Sequence, residues 1–160
     1  MSIARLMISL AVLALAFSGC HGLGLDQPDG VGIRRDDQGN LIAVYRVCHK
    51  DARVTRLRLI DARGTRGDSS DDQTLWEIRA TNASSAKQFI VGQTPDGFRE
   101  DVALNSLPND GRLLRVAVET SELPHGESSS FSTNQLRTDR LRVGDGYQAE
   151  EEFLRGDACG

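Results

Sequence analysis

Side chains able to do chemistry are sparse in this sequence. The 160-residue chain holds three histidines, His21, His49 and His125, and three cysteines, Cys20, Cys48 and Cys159. Nucleophilic catalysis sets a Ser or Cys beside a base that a third group orients. Serines are plentiful, but none stands in Gly-x-Ser-x-Gly, and Ser128, Ser129 and Ser130 sit in a polar stretch that reads as a loop. A hydrolase would have to carry His49 or His125 to a distant Ser or Asp, so no catalytic residue is assigned and an enzyme is not expected. Cys48 and His49 are adjacent, and neighbours on a strand point to opposite faces, a poor arrangement for chelating one ion. The run Asp68-Ser69-Ser70-Asp71-Asp72 gathers oxygens of the kind Ca²⁺ takes, with Asp68, Ser70 and Asp72 as the candidate ligands. Counted from Asp68, however, the sixth and twelfth positions are Gln73 and Arg79, where the helix–loop–helix calcium loop needs Gly and Glu. A solvated acidic loop is the simpler reading, and no cofactor is implied.

The elements that would position such groups come from the pattern of apolar residues. At 39% hydrophobic the chain is too apolar for disorder, and its length suits one domain. Its net charge of −4, without a basic block, gives no footprint for a phosphate backbone, so nucleic acid is not an expected partner. Apolar residues come in short runs of period near two, the strand signature. Residues 31–36 and 41–48 flank Gln38-Gly39-Asn40 as a hairpin. In 54–60, Thr55, Leu57 and Leu59 share one face and Arg56 and Arg58 the other; in 75–81, Trp76, Ile78 and Ala80 oppose Glu77 and Arg79. Residues 89–93 and 98–104 flank Thr94-Pro95-Asp96-Gly97, which reads as a second hairpin. In 113–119, Leu114, Val116 and Val118 line up, and 136–143 is the last strand before the Gly144-Asp145-Gly146 turn. Only 148–155 looks helical, with Glu150, Glu151 and Glu152 near its start, where the helix dipole favours carboxylates.

Short strands separated by turns predict an all-β fold, an antiparallel immunoglobulin-like sandwich of about seven strands with a short C-terminal helix; a small β-barrel is the alternative. Trp76 and most other aromatics lie on predicted strands, where core packing claims them ahead of ligand stacking. Arg46, Arg56, Arg58, Arg79 and Arg115 could form a basic sheet face toward an anionic polymer, or pair across strands with Glu77 and Glu119, which is the expected arrangement.

The first twenty residues speak to location. Arg5 precedes an apolar run over 6–17 that is too short to span hydrocarbon and has the form of a signal-peptide core. Phe17-Ser18-Gly19-Cys20 then follows, and it resembles the lipobox of bacterial lipoproteins, with Phe17 where Leu is commonest. That resemblance implies acylation of Cys20, which becomes the mature N-terminus, palmitate included among its chains. An ordinary secretory leader cleaved after Ala14-Leu15-Ala16 is the alternative. Cysteine parity favours the lipid, because a lipidated Cys20 leaves Cys48 and Cys159 to pair in an oxidising compartment.

The sequence divides into a signal peptide (1–19), the lipidated Cys20 with a Gly-rich tether containing His21 (20–32), and a β-sandwich domain (33–160). The tether can reach roughly 40 Å at ~3.3 Å per residue. With its two remaining cysteines, the mature domain resembles uncharacterised small β-rich surface lipoproteins of GC-rich bacteria, a resemblance that carries over no activity or site residue. The expected protein is a non-enzymatic, lipid-anchored component of the cell membrane or outer membrane, facing the extracytoplasmic side. Its partners are the membrane, through the anchor, and an unknown envelope protein or polymer. A small-ligand or calcium-binding module is the alternative function, and an envelope hydrolase the third.

A Cys48–Cys159 disulfide would close a loop of about 111 residues, a constraint that loop entropy values at ~4.7 kcal/mol for this order of length. The exported protein, denatured without reductant, should therefore show no thiol reactive toward a chromogenic disulfide reagent; two reactive thiols would exclude the pair.

Overall fold

The computed structural model of the protein describes residues 30–47, 50–63 and 71–155. Among them lie ten strands: β1 (Gly30–Arg35), β2 (Leu41–Arg46), β3 (Val54–Asp61), β4 (Gln73–Ser84), β5 (Gln88–Ile90), β6 (Phe98–Val102), β7 (Leu113–Thr120), β8 (Glu127–Ser132), β9 (Leu141–Val143) and β10 (Gly146–Gln148). One helix, α1 (Glu150–Arg155), follows. The strands form two antiparallel five-stranded sheets, ordered β10-β9-β1-β2-β5 and β6-β4-β3-β7-β8. The fold is the all-β sandwich that the patterning predicts, not the barrel, with ten strands in place of about seven.

The additional strands are short or unmarked by apolar residues. β8 carries Ser128, Ser129, Ser130 and Ser132 around the single apolar Phe131, and β10 has three residues. β1 begins at Gly30, inside the stretch assigned to the tether. Gly30 and Gly32 tolerate a strand here because each turns its Cα toward a close neighbour: a Cβ would meet Phe153 at 3.2 Å at the first and Leu141 at 3.1 Å at the second.

The first hairpin is as predicted. β1 pairs with β2 from Gly30↔Arg46 to Arg35↔Leu41. Asp36 organises the turn by accepting from the Gln38 and Asn40 amides at 2.9 and 2.8 Å, while Gly39 takes the left-handed conformation at φ 86°. The second hairpin is not one. β5 pairs with β2 in the first sheet and β6 with β4 in the second, so residues 91–97 cross between layers. The turn itself forms, with the Phe98 amide donating to the Pro95 carbonyl at 3.1 Å and Gly97 at φ 82°. Phe89 and Phe98, one on each sheet, are both buried and meet edge to face across the sandwich at 5.5 Å.

The inner faces meet in one core. Tyr45, Val31 and Ile33 from the first sheet face Leu57, Leu59, Trp76, Ile78, Leu114, Val116 and Phe131 from the second. The alternation read from the sequence therefore points inward where expected. The first sheet is buried on its other side as well, where α1 seats Phe153 on Ile42, Val44 and Leu141. That explains why all six residues of β2 are buried. Glu150, at the start of α1, holds the helix to the sheet through Arg34 at 2.7 Å.

Trp76 is the largest side chain in the central core and is fully buried. Replacing it with alanine removes aromatic contacts in a close-packed interior, and such truncations cost about 3–5 kcal/mol. Trp76→Ala should shift the urea unfolding midpoint downward by that equivalent, leaving little residual stability in a domain of ordinary total stability.

Candidate functional site

Two surfaces concentrate polar groups. The first is the outward face of the second sheet. β3 presents Arg56 and Arg58 between β4 and β7, whose outward residues in register include Glu77 and Glu119. Arg56 donates to Glu77 through Nε at 2.8 Å and Nη2 at 2.9 Å, a two-pronged contact, and to Glu119 at 3.2 Å. Arg58 donates to Glu119 at 3.0 Å. Arg79 bridges Glu77 at 3.0 Å to Asp101 of β6 at 2.9 Å, and Asp101 also pairs with Arg99. Of the two arrangements open in the sequence, the structure has the cross-strand lattice.

The lattice sets the local titration. Hydrogen bonding from Arg56 is the main cause that holds the Glu77 carboxyl below the ordinary range, with Arg79 adding to it against the cost of burial. The same contact raises Arg56. Arg46 and Arg115 do not belong to this face. Arg46 is 8% exposed and lies 5.1 Å from the Phe153 ring, and Arg115 is buried against Asp72.

The second surface is a cleft along β8. Two neighbouring cavities, of about 450 and 370 Å³, have Ser128 and Gly144 in both of their walls. Gly30 and Val31 of β1 and Tyr147 of β10 bound the first; Ser130, Gln135, Arg142 and Asp145 bound the second. Alternation places Leu141 and Val143 against α1, so Arg142 and its register partner Tyr147 face the other way. The Tyr147 ring takes the guanidinium of Arg137 at 4.4 Å and that of Arg142 at 5.1 Å, and its hydroxyl donates to the Gln135 carbonyl. Arg142 also donates through Nη1 to the Asp145 carbonyl at 2.7 Å. Two wall atoms, Arg142 Nε and Ser129 Oγ, are buried without a hydrogen-bond partner among the described residues.

The β8 backbone is paired on one edge only. The Ala62 amide donates to the Leu113 carbonyl at 3.1 Å, so the polar backbone groups of Leu113 face β3 and those of Leu114 face β8. Phe131, opposite Leu114, is therefore in the β7 ladder together with Ser129 and Glu127. The intervening Ser128, Ser130 and Ser132 turn their N–H and C=O groups to the cleft. The Ser132 amide donates to Gln135 Oε1 at 3.4 Å. Ser128 and Ser130 have no strand beyond them among the described residues.

Several residues singled out in the sequence, Cys20, His21, Cys48, His49, Asp68, Ser70 and Cys159, lie outside the described residues. Of the calcium candidates, Asp72 is described; it is half-buried and its carboxylate accepts from Arg115. His125 is exposed in the connection between β7 and β8. Among the described residues no three His, Cys, Asp or Glu side chains gather to hold a metal ion. Six of the seven described aromatics, Tyr45, Trp76, Phe89, Phe98, Phe131 and Phe153, are buried, including those on predicted strands, and Tyr147 instead lines the cleft. Sequence reading missed the cleft because its floor is the serine run taken for a loop. Phe131 was the one apolar signal available there.

No protein-family model, curated protein or solved structure matches this chain.

Glu77 connects most of the lattice, and its folded pKa lies below its unfolded one. Its contribution is therefore present above the unfolded value and lost as pH falls through the folded value. Glu77→Gln should lower unfolding free energy by ~1–3 kcal/mol at pH 7, and urea midpoints of variant and parent should converge as pH falls below the ordinary glutamate range and Glu77 takes up its proton.

Proposed function

We propose that the protein is a non-enzymatic, lipid-anchored component of the cell envelope and that its sandwich is a binding module for another envelope protein or polymer. The anchor reading is supported by the Arg5 and 6–17 leader followed by Phe17-Ser18-Gly19-Cys20. Two or three acyl chains on Cys20, each contributing about 0.8 kcal/mol per buried CH₂, hold a small domain firmly at a bilayer. A Gly-rich tether lets the domain stand away from the surface.

The binding reading is carried by the open cleft beside β8, where two adjoining cavities are lined by Tyr147 in the first, Arg142 and Gln135 in the second, and Ser128 in both. The outward face of the second sheet is a poorer partner surface. Its arginines are matched with carboxylates in place, so an anionic polymer would have to displace internal pairs to be gained.

Fractionation of cells expressing the full chain tests the anchor. The native protein should stay with membranes through detergent-free, high-salt washing and be released by detergent, and Cys20→Ala should wash off. Intact-mass analysis should find the mature native protein beginning at an acylated Cys20. Equal washing of both forms, or an unmodified mature N-terminus upstream of Cys20, would overturn the reading.

A further inference from the structure

The two sheets expose four edge strands, β5, β10, β6 and β8, and unpaired edges are templates for pairing with another chain unless they are short, charged or bulged. β5 and β10 have three residues each. β6 carries Arg99, Glu100 and Asp101, all exposed. β8 is the least protected: it is six residues long, keeps regular register with β7 throughout, and carries no Lys, no Pro and no charge beyond Glu127 at its first position, so Ser128–Ser132 is uncharged.

We propose that β8 receives a single extended segment of a partner protein, which adds to the second sheet as an antiparallel strand. This deepens the binding-module reading and rests on it. The N–H and C=O groups of Ser128 and Ser130 provide four backbone hydrogen-bonding positions, set two residues or about 6.8 Å apart, which is the repeat that a facing antiparallel strand presents. The hollow follows that edge, since Ser128 lines both cavities and Ser130 the second. Small serine side chains leave the backbone open to approach.

The surroundings select the occupant. The β9–β10 hairpin, with Gly144, Gly146 and Tyr147, and β1, with Gly30 and Val31, wall the hollow, so its shape suits a lone extended segment better than the broad folded edge of a second copy. The backbone of the segment supplies the affinity, and alternate side chains supply selectivity. Arg142 lies in the wall with an Nε–H that has no acceptor among the described residues. A carboxylate or amide oxygen at the central position of the segment satisfies it with a small rotation of the guanidinium.

The test uses the purified full-length protein in detergent micelles and two blocked synthetic hexapeptides. Both alternate threonine and valine around one central aspartate; the second is N-methylated at the two residues whose amides face β8. In the free protein, the Ser128 and Ser130 amides should exchange with solvent faster than those of Ser129 and Phe131. Saturation with the first peptide should slow Ser128 and Ser130 at least about tenfold, and N-methylation should weaken binding about tenfold or more, as loss of two backbone bonds requires. Ser130→Pro removes one cleft-facing donor and leaves the β7 ladder intact, and it should weaken the unmethylated peptide about tenfold. If that variant does not fold, the methylated peptide on the native protein decides the matter alone. Equal binding of the two peptides, protection at another edge, or no binding of either at millimolar concentration overturns the proposal. The anchoring experiment is unaffected by any of these results, so the two readings fail separately.

Discussion

Each strand of a sandwich has to bury an apolar face and also pair its backbone on two edges, and these ten strands meet the two demands unequally. β2 satisfies both. It lies between β1 and β5, with the main core on one face and α1 on the other. β3, β4 and β7 pair on both edges and turn one face to the core, and the charged residues on their outward faces, Arg115 and Glu77 among them buried, are matched with partners of opposite sign. β8 buries Ser129 and Phe131 but pairs along only one edge. Hydrogen-bonding capacity left over after folding therefore remains along β8, as at the other three edge strands, and at β8 it lies beside the cleft.

The charged lattice on the second sheet answers a related constraint. Five basic or acidic side chains on adjacent strands, Arg56, Arg58, Arg79, Glu77 and Glu119, would repel or attract according to register alone, since cross-strand neighbours sit within about 5.5 Å. The register set by the core brings unlike charges together. Partial burial then makes each carboxylate dependent on its arginine, because a desolvated charge without a partner is costly. Glu77, with two arginines and a side chain 8% exposed, is the clearest instance.

Much of the fold is legible in the amino-acid pattern. Leu57 and Leu59 against Arg56 and Arg58, Trp76 and Ile78 against Glu77 and Arg79, and the trio Leu114, Val116 and Val118 mark which face turns inward, because side-chain direction alternates strictly along a strand. The candidate site was not legible. A serine run has no contrast between its two faces, so neither the strand nor the alternation of its backbone groups is visible until β7 imposes a register. Arg142 and Tyr147 meet only because a turn at residues 144–145 folds β10 back on β9.

The amino-acid sequence by itself determined the strand class, the inward faces, the glycine turns at 39 and 97 and the terminal helix, all of which depend on residues close together in the chain. Tertiary structure decided which strands became partners. The segment 94–97 forms its local turn, yet Phe89 and Phe98 end on different sheets, where β2 and β4 pair with their strands and the two rings meet across the core. The same long-range choice left β8 at an edge. Local propensity describes a strand's own backbone, and only the assembled sheets determine which of its hydrogen-bonding groups remain without a neighbour.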